Sequence, residues 1–157
     1  MSLKKAMIKY FNYMVVFEEI PDEITLAINI THCPNHCPDC HSKFLWEDIG
    51  TELTESELDN LISDNEGVSC VCFMGGDRDV EGIVSLAKHV KERHGLKAGW
   101  YSGQEDLAQA KEFDYIKIGP YIKEYGSLDK PTTNQKLFKV QNGELIDITS
   151  KFWKKAI

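Results

Sequence analysis

Between residues 24 and 118, four short apolar runs alternate with stretches of helical periodicity. The runs are residues 24–30 (ITLAINI), 68–74 (VSCVCFM), 96–101 (LKAGWY) and 115–118 (YIKI). The second is nearly continuous in apolar residues, as a strand buried on both faces requires. The first helical stretch opens on a capping box, Thr54 and Glu57, with Leu53 and Leu58 placed as a hydrophobic staple. Leu58, Leu61 and Ile62 form its apolar stripe, and Asn65-Glu66-Gly67 ends it. The second runs over residues 80–94 with Val80, Ile83, Val84, Ala87 and Val90 facing inward and Gly95 closing it. A shorter helix is expected at 105–111. The order β-α-β-α-β-α-β implies right-handed crossovers and a mostly parallel sheet. Four such strands in 157 residues fall short of an eight-stranded barrel of about 250 residues. The expected fold is therefore α/β, a small incomplete (βα) barrel or an open, curved, mostly parallel sheet, built as one domain over residues 1–157.

The flanks follow different rules. Residues 8–17 (IKYFNYMVVF) are rich in aromatic and β-branched side chains and read as one or two strands with a break at Asn12. Pro21-Asp22 reads as a turn. Residues 138–140 and 145–148 flank Gln141-Asn142-Gly143-Glu144, and Asn-Gly suits the turn of a C-terminal β-hairpin. Residues 149–157 are expected to end in a turn or two of helix.

Composition narrows the function. Apolar residues at 42% and charged residues at 27% are those of a folded chain. The net charge of -7, with no block of Lys and Arg, argues against a nucleic-acid partner. No window approaches 18 apolar residues, so no membrane span is expected. Lys4 and Lys5 are not followed by the apolar run of a secretory leader, so a cytoplasmic, reducing location is expected. A chain of this length buries roughly two-thirds of its unfolded surface and needs no disulfide. Its five cysteines are then thiols or ligands.

Three of the cysteines fall together, in Thr31-His32-Cys33-Pro34-Asn35-His36-Cys37-Pro38-Asp39-Cys40-His41-Ser42, with the spacing C-x3-C-x2-C. Three thiolates on one tight loop can converge on one metal centre. A four-iron cube held by three of them keeps one iron open to a small molecule. Pro34 and Pro38 stiffen the loop, and Asn35 and Asp39 can bond nearby amides. The same residues permit a structural zinc completed by His32, His36 or His41. Cys37-x-x-Cys40-His41 also fits a c-type haem attachment, and Cys37-x-x-Cys40 a redox dithiol. Inert core thiols are the plainest alternative, but prolines and polar residues surround these three. Cys70 and Cys72, inside the second apolar run, read instead as small hydrophobes.

A second signal is positional. The cysteine loop follows the first strand, Gly75-Gly76-Asp77 the second, Ser102-Gly103 the third and Gly119-Pro120 the fourth. In a parallel sheet all four open on one edge, the carboxyl edge at which α/β proteins bind ligands.

Together these motifs resemble the radical S-adenosylmethionine (SAM) superfamily. Cys33-x3-Cys37-x2-Cys40 after a first strand matches its cysteine motif, and Gly75-Gly76-Asp77 resembles its Gly-Gly-Glu motif with the acid one methylene shorter. The short chain, Cys-Pro-Asp-Cys-His, Tyr101-Ser102-Gly103, Ile118-Gly119-Pro120 and Thr132-Thr133-Asn134-Gln135 resemble the activating proteins of anaerobic ribonucleotide reductase, a glycyl-radical-enzyme activase branch. The likeness spans roughly residues 14 to 140. Asp39 stands where the superfamily often has an aromatic residue, and Glu19-Ile20-Pro21-Asp22-Glu23 replaces the branch's usual Asn-Gly-Pro-Gly-x-Arg.

The resemblance implies that Cys33, Cys37 and Cys40 hold a 4Fe–4S cluster whose open iron chelates SAM. It implies reduction by a flavodoxin- or ferredoxin-like donor and formation of a 5′-deoxyadenosyl radical. The hydrogen would come from a glycine of a large partner enzyme. Gly75, Gly76 and Asp77 would meet the methionyl group of SAM, and Asp39 would support the cofactor. Ser102 and Gly103 would face its ribose or adenine. Lys117 points either toward this site or away from it. Phe44 and Trp46 either shield the cluster, dock a partner or pack in the core.

Overall fold

The computed structural model describes residues 8–31, 49–104 and 109–152. Eight strands form one open sheet in the order β3-β1-β2-β4-β5-β6-β7-β8. Four of them make its parallel centre: β2 (Thr25–Ile30), β4 (Cys70–Met74), β5 (Lys97–Tyr101) and β6 (Tyr115–Ile118). The flanks are antiparallel. On one side lie β1 (Lys9–Val16) and the two-residue β3 (Thr51–Glu52). On the other lie β7 (Lys136–Gln141) and β8 (Glu144–Asp147). The sheet is thus mixed, and the parallel expectation holds for the four central strands. Chain returns too short for a crossover helix, such as that between β1 and β2, permit only antiparallel pairing.

Local chemistry explains the elements. Helix α1 (Glu55–Asp64) starts at Thr54, whose side chain accepts the Glu57 amide at 3.0 Å. The Glu57 carboxylate does not complete the box; it accepts the Tyr10 hydroxyl at 2.6 Å and so ties α1 to β1. Leu53 and Leu58 are both buried, as the staple requires. Helix α2 (Val80–His94) starts at Asp79, which accepts the Gly82 amide, and ends at Gly95 with φ 65°. The break expected at Asn12 is a shift of register between Tyr10 and Asn12 in β1. Asn142 and Gly143, with φ of 54° and 79°, turn the β7–β8 hairpin. Two positive φ values in a two-residue loop match the twist of the paired strands. Gln109 is a turn residue and 110–112 form only a 3-10 turn, and residues 105–108 of the helix expected at 105–111 lie outside the described residues. Thr149–Phe152 is likewise a 3-10 turn.

Alternation along the central strands divides the core. Leu26, Ile28, Val71, Phe73, Ala98, Trp100 and Ile116 face α1 and α2 in the larger cluster. Cys70, Cys72 and Tyr115 face the other way, where Ile20, Leu137 and Ile148 cover them. Both cysteines are fully buried, and burial pushes their thiols well above the ordinary value. They are packing residues, as the sequence suggested. Among the described residues no helix is long and apolar enough to cross a membrane.

At the amino edge of the parallel strands, Glu23 collects Lys97 at 2.6 Å, Ser69 at 2.7 Å and Tyr115 at 2.8 Å. These residues precede or begin β2, β4, β5 and β6, so one buried carboxylate locks four strand starts.

Candidate functional site

The four strand ends meet at the carboxyl edge. Thr31 follows β2; its amide donates to the Lys9 carbonyl at 3.0 Å and its hydroxyl to the Ile49 carbonyl at 2.5 Å. Thr31 and Ile49, the residues that flank 32–48, are therefore held together at one point. Cys33, Cys37, Asp39 and Cys40 belong to that segment and lie outside the described residues, as do Phe44 and Trp46.

Gly75 and Gly76 come next along the edge, with φ of 108° and 100°. A Cβ on Gly75 would stand 3.3 Å from the Ile30 carbonyl oxygen, and one on Gly76 would stand 2.6 Å from Ile83. These positions call for glycine on both conformational and steric grounds. The Gly75 amide donates to the Tyr101 carbonyl at 3.0 Å, and the Gly75 carbonyl accepts the Trp100 indole N–H at 2.7 Å. The Gly76 carbonyl accepts the Asp79 amide at 3.1 Å. Among the described residues both carbonyls are thus engaged once, and a carbonyl oxygen can accept a second bond.

Asp77, Ser102 and Gly103 form one hydrogen-bonded unit. Asp77 Oδ1 accepts the Ser102 hydroxyl at 2.5 Å, and Oδ2 accepts the Gly103 amide at 2.9 Å. Ser102 is 1% exposed, and its oxygen also accepts the Gln104 amide at 3.0 Å. The three residues brace the ends of β4 and β5. A small cavity of about 120 Å³ opens beside them, bordered by Asp77, Trp100, Ser102 and Gln104.

Lys117 points to the side of the sheet away from the helices. It is buried, donates to the carbonyls of Ser102 and Gly119 at 3.1 Å each, and its Nζ lies 5.6 Å from the Tyr101 ring centre. Gln135 Nε2 donates to the same Gly119 carbonyl, and Asn134 Nδ2 to Pro120 at 3.0 Å. Asn134 Oδ1 is buried with no partner among the described residues. A buried acceptor left open costs free energy until a donor reaches it. Next to these residues lies an open cavity of about 390 Å³, bordered by Tyr101, Lys117, Gln135, Leu128 and Phe152. That volume falls within the usual range of ligand pockets, about 300–1,000 Å³.

Sequence reasoning placed Gly75, Gly76, Asp77, Ser102 and Gly103 on one edge, and they are there. It missed the Trp100–Gly75 bond and the open Asn134 oxygen, which depend on side-chain direction. It also missed a group on the helices. Asp59, His89 and His94 present ligand atoms within 4.8 Å of one another, the one such His, Cys, Asp and Glu group found among the described residues. The separation of 30 positions between Asp59 and His89 hid it.

Among the described residues an open α/β sheet carries a glycine-lined edge, and Thr31 and Ile49, which flank the three-cysteine segment, are joined at the end of a central strand. The donor set in the sequence adds to this: three thiolates at this spacing suit an iron–sulfur cluster. Comparison with protein families matches residues 24–123, well over half of the chain, to the family described as "4Fe-4S single cluster domain". The chain belongs to that family. Comparison with curated proteins and with solved structures gives no match.

Proposed function

We propose that the chain is a radical SAM activase that makes a glycyl radical on a large partner enzyme, an anaerobic ribonucleotide reductase, in the cytoplasm. The observation that carries this reading is the adjacency of two strand ends. The cysteine segment is anchored at Thr31, and Gly75 sits against the Ile30 carbonyl one residue earlier. Cys33, Cys37 and Cys40 would hold a 4Fe–4S cluster with one iron free. Such a cluster, with SAM bound and an electron from a flavodoxin- or ferredoxin-like donor, would supply the 5′-deoxyadenosyl radical chemistry that takes a hydrogen atom from the partner's glycine.

The chain's own residues do the positioning. Gly75 and Gly76 offer free lone pairs to the ammonium group of SAM. Asp77 fixes the loop through Ser102 and Gly103 and adds negative charge beside that ammonium. Asp39 lies within the cysteine motif and would support the same cofactor. Lys117 places positive charge at the wall of the larger cavity, and Tyr101 and Phe152 give it apolar lining. The cavity is open, so a protein substrate is needed to close it and exclude water.

The test is anaerobic reconstitution with iron, sulfide, SAM, a reductant and the reductase from the same cell. The expected result is 5′-deoxyadenosine together with a glycyl radical signal in the partner. Deoxyadenosine without a radical in any glycyl-radical partner counts against the activase.

One observation favours a second reading, a radical SAM enzyme acting on a peptide or small molecule. The chain's own tail, through Leu128, Gln135 and Phe152, helps to line the cavity. Deoxyadenosine formation stimulated by such a compound, and not by the reductase, distinguishes the two.

A further inference from the structure

Asp59 of α1 stands opposite His89 and His94 of α2. The Nε2 atoms of the two histidines lie 2.7 and 2.6 Å from the same oxygen, Asp59 Oδ1. The other ring nitrogen of His89, Nδ1, lies 2.9 Å from Glu55 Oε2. The rings meet edge to face, with centroids 5.8 Å apart and planes at 76°. The His89, His94 and Asp59 side chains are 14%, 21% and 31% exposed, so the group is partly shielded and still reachable from solvent.

Two features go beyond an ordinary ion pair. A single carboxylate oxygen receives both imidazoles, while its twin, Oδ2, faces Arg93 Nε only at 3.7 Å. His89 also has a carboxylate oxygen at each ring nitrogen. A neutral imidazole carries one N–H and satisfies one of the two; to satisfy both, the ring needs a second proton at Nε2 or another cation in its place. A metal ion at Nε2 takes the place of that second proton: Nδ1–H donates to Glu55, and the Nε2 lone pair goes to the metal. A carboxylate behind a ligating histidine is the usual outer arrangement of such sites.

We propose that Asp59, His89 and His94 form a zinc site that clasps α1 to α2, separate from the iron–sulfur edge. Two imidazoles and one carboxylate suit zinc, and they do not suit magnesium or calcium, which prefer all-oxygen sets. Zinc bonds of about 2.0–2.1 Å place tetrahedral donors about 3.4 Å apart. The donors here lie within 4.8 Å of one another. The Asp59–histidine contacts of 2.7 and 2.6 Å need to open by less than about 1 Å, and the widest pair to close by at most about 1.4 Å, a side-chain adjustment. The fourth position is left to water. The site is remote from the cysteine segment along the fold: His94 ends α2 just before the amino end of β5, whereas that segment leaves the carboxyl end of β2.

The confounding ligands are the clustered thiolates, which also take zinc. The experiment therefore uses the full chain carrying Cys33→Ser, Cys37→Ser and Cys40→Ser, stripped with chelator and titrated calorimetrically with Zn²⁺. One zinc per chain is expected, and His94→Gln or Asp59→Asn added to that background should weaken it at least 100-fold. No binding, or binding indifferent to both substitutions, overturns the site and leaves a hydrogen-bonded clasp. Should the serine variant fail to fold, cluster-loaded native protein is titrated with Co²⁺. Visible cobalt bands without thiolate charge transfer, lost in His94→Gln at unchanged iron content, support the site. Their absence, or their persistence in His94→Gln, overturns it.

Discussion

Asp77 clamps Ser102: one carboxylate oxygen takes the serine hydroxyl at 2.5 Å, and the other takes the next amide, that of Gly103, at 2.9 Å. An aspartate in place of the longer acid thus has a local reason, because its length spans the ends of β4 and β5. Asp77→Asn turns one acceptor into a donor facing a donor. It should cost about 1–3 kcal/mol in denaturant unfolding. In reconstituted protein it should weaken SAM binding at least tenfold at unchanged iron content. Asp77→Glu pushes the carboxylate out by about 1.5 Å and should give a smaller loss in the same two measurements. Unchanged SAM binding in both variants would remove Asp77 from the site.

The glycine edge makes a prediction about stability. A Cβ at Gly76 meets Ile83 at 2.6 Å and sits on a φ of 100°, whereas one at Gly95, φ 65°, meets nothing within 4 Å. Gly95→Ala pays only for the left-handed backbone, about 1 kcal/mol. Gly76→Ala adds a clash and should cost about 2 kcal/mol or more. Chemical unfolding of the two variants should preserve that order.

The five cysteines should separate by role. Cys33→Ala, Cys37→Ala and Cys40→Ala should each lose most of the reconstitutable iron. Cys70→Ala and Cys72→Ala remove buried thiols from the core and should keep the iron while lowering stability by about 1 kcal/mol. Iron and sulfide analysis beside thermal melts distinguishes the groups.

Glu23 predicts the acid limb of the stability curve. Burial alone would raise its carboxyl, but hydrogen bonds from Lys97, Ser69 and Tyr115 outweigh it and hold the folded value below the ordinary 4.5. Folding then favours the charged form. The stabilisation is complete above the unfolded value and is lost as pH falls from there through the folded one. Glu23→Gln should lower the melting temperature at pH 7 and flatten its fall between about pH 5 and pH 3. Parallel acid limbs in the two proteins would contradict the assignment.

Much of the fold is legible because its signals are local. Thr54 caps α1, Gly95 closes α2 and Asn142-Gly143 turns the hairpin within a few residues of the elements they define. The parallel centre follows from apolar runs of strand length. What escaped depends on distant partners. β3 is two residues with no propensity of their own, recognisable only because Thr51 and Glu52 pair with Tyr10 and Lys9. Glu57 looked like half of a capping box, yet it bonds Tyr10, 47 positions away in sequence. At the site, residue types and strand ends were readable, but the directions of Trp100, Lys117 and Asn134 were not, because packing sets them. The Asp59, His89 and His94 group was invisible for the same reason, since it needs two helices laid side by side.

The central claim is that three cysteines hold a 4Fe–4S cluster with one iron open to SAM. Electron paramagnetic resonance of the reduced, reconstituted protein, with unlabelled SAM and with SAM labelled at its methionyl amine and carboxylate, tests it directly. The account predicts one cluster per chain, a signal that shifts when SAM is added, and hyperfine coupling to both labels. A signal indifferent to SAM, or a fourth protein ligand on that iron, would contradict it.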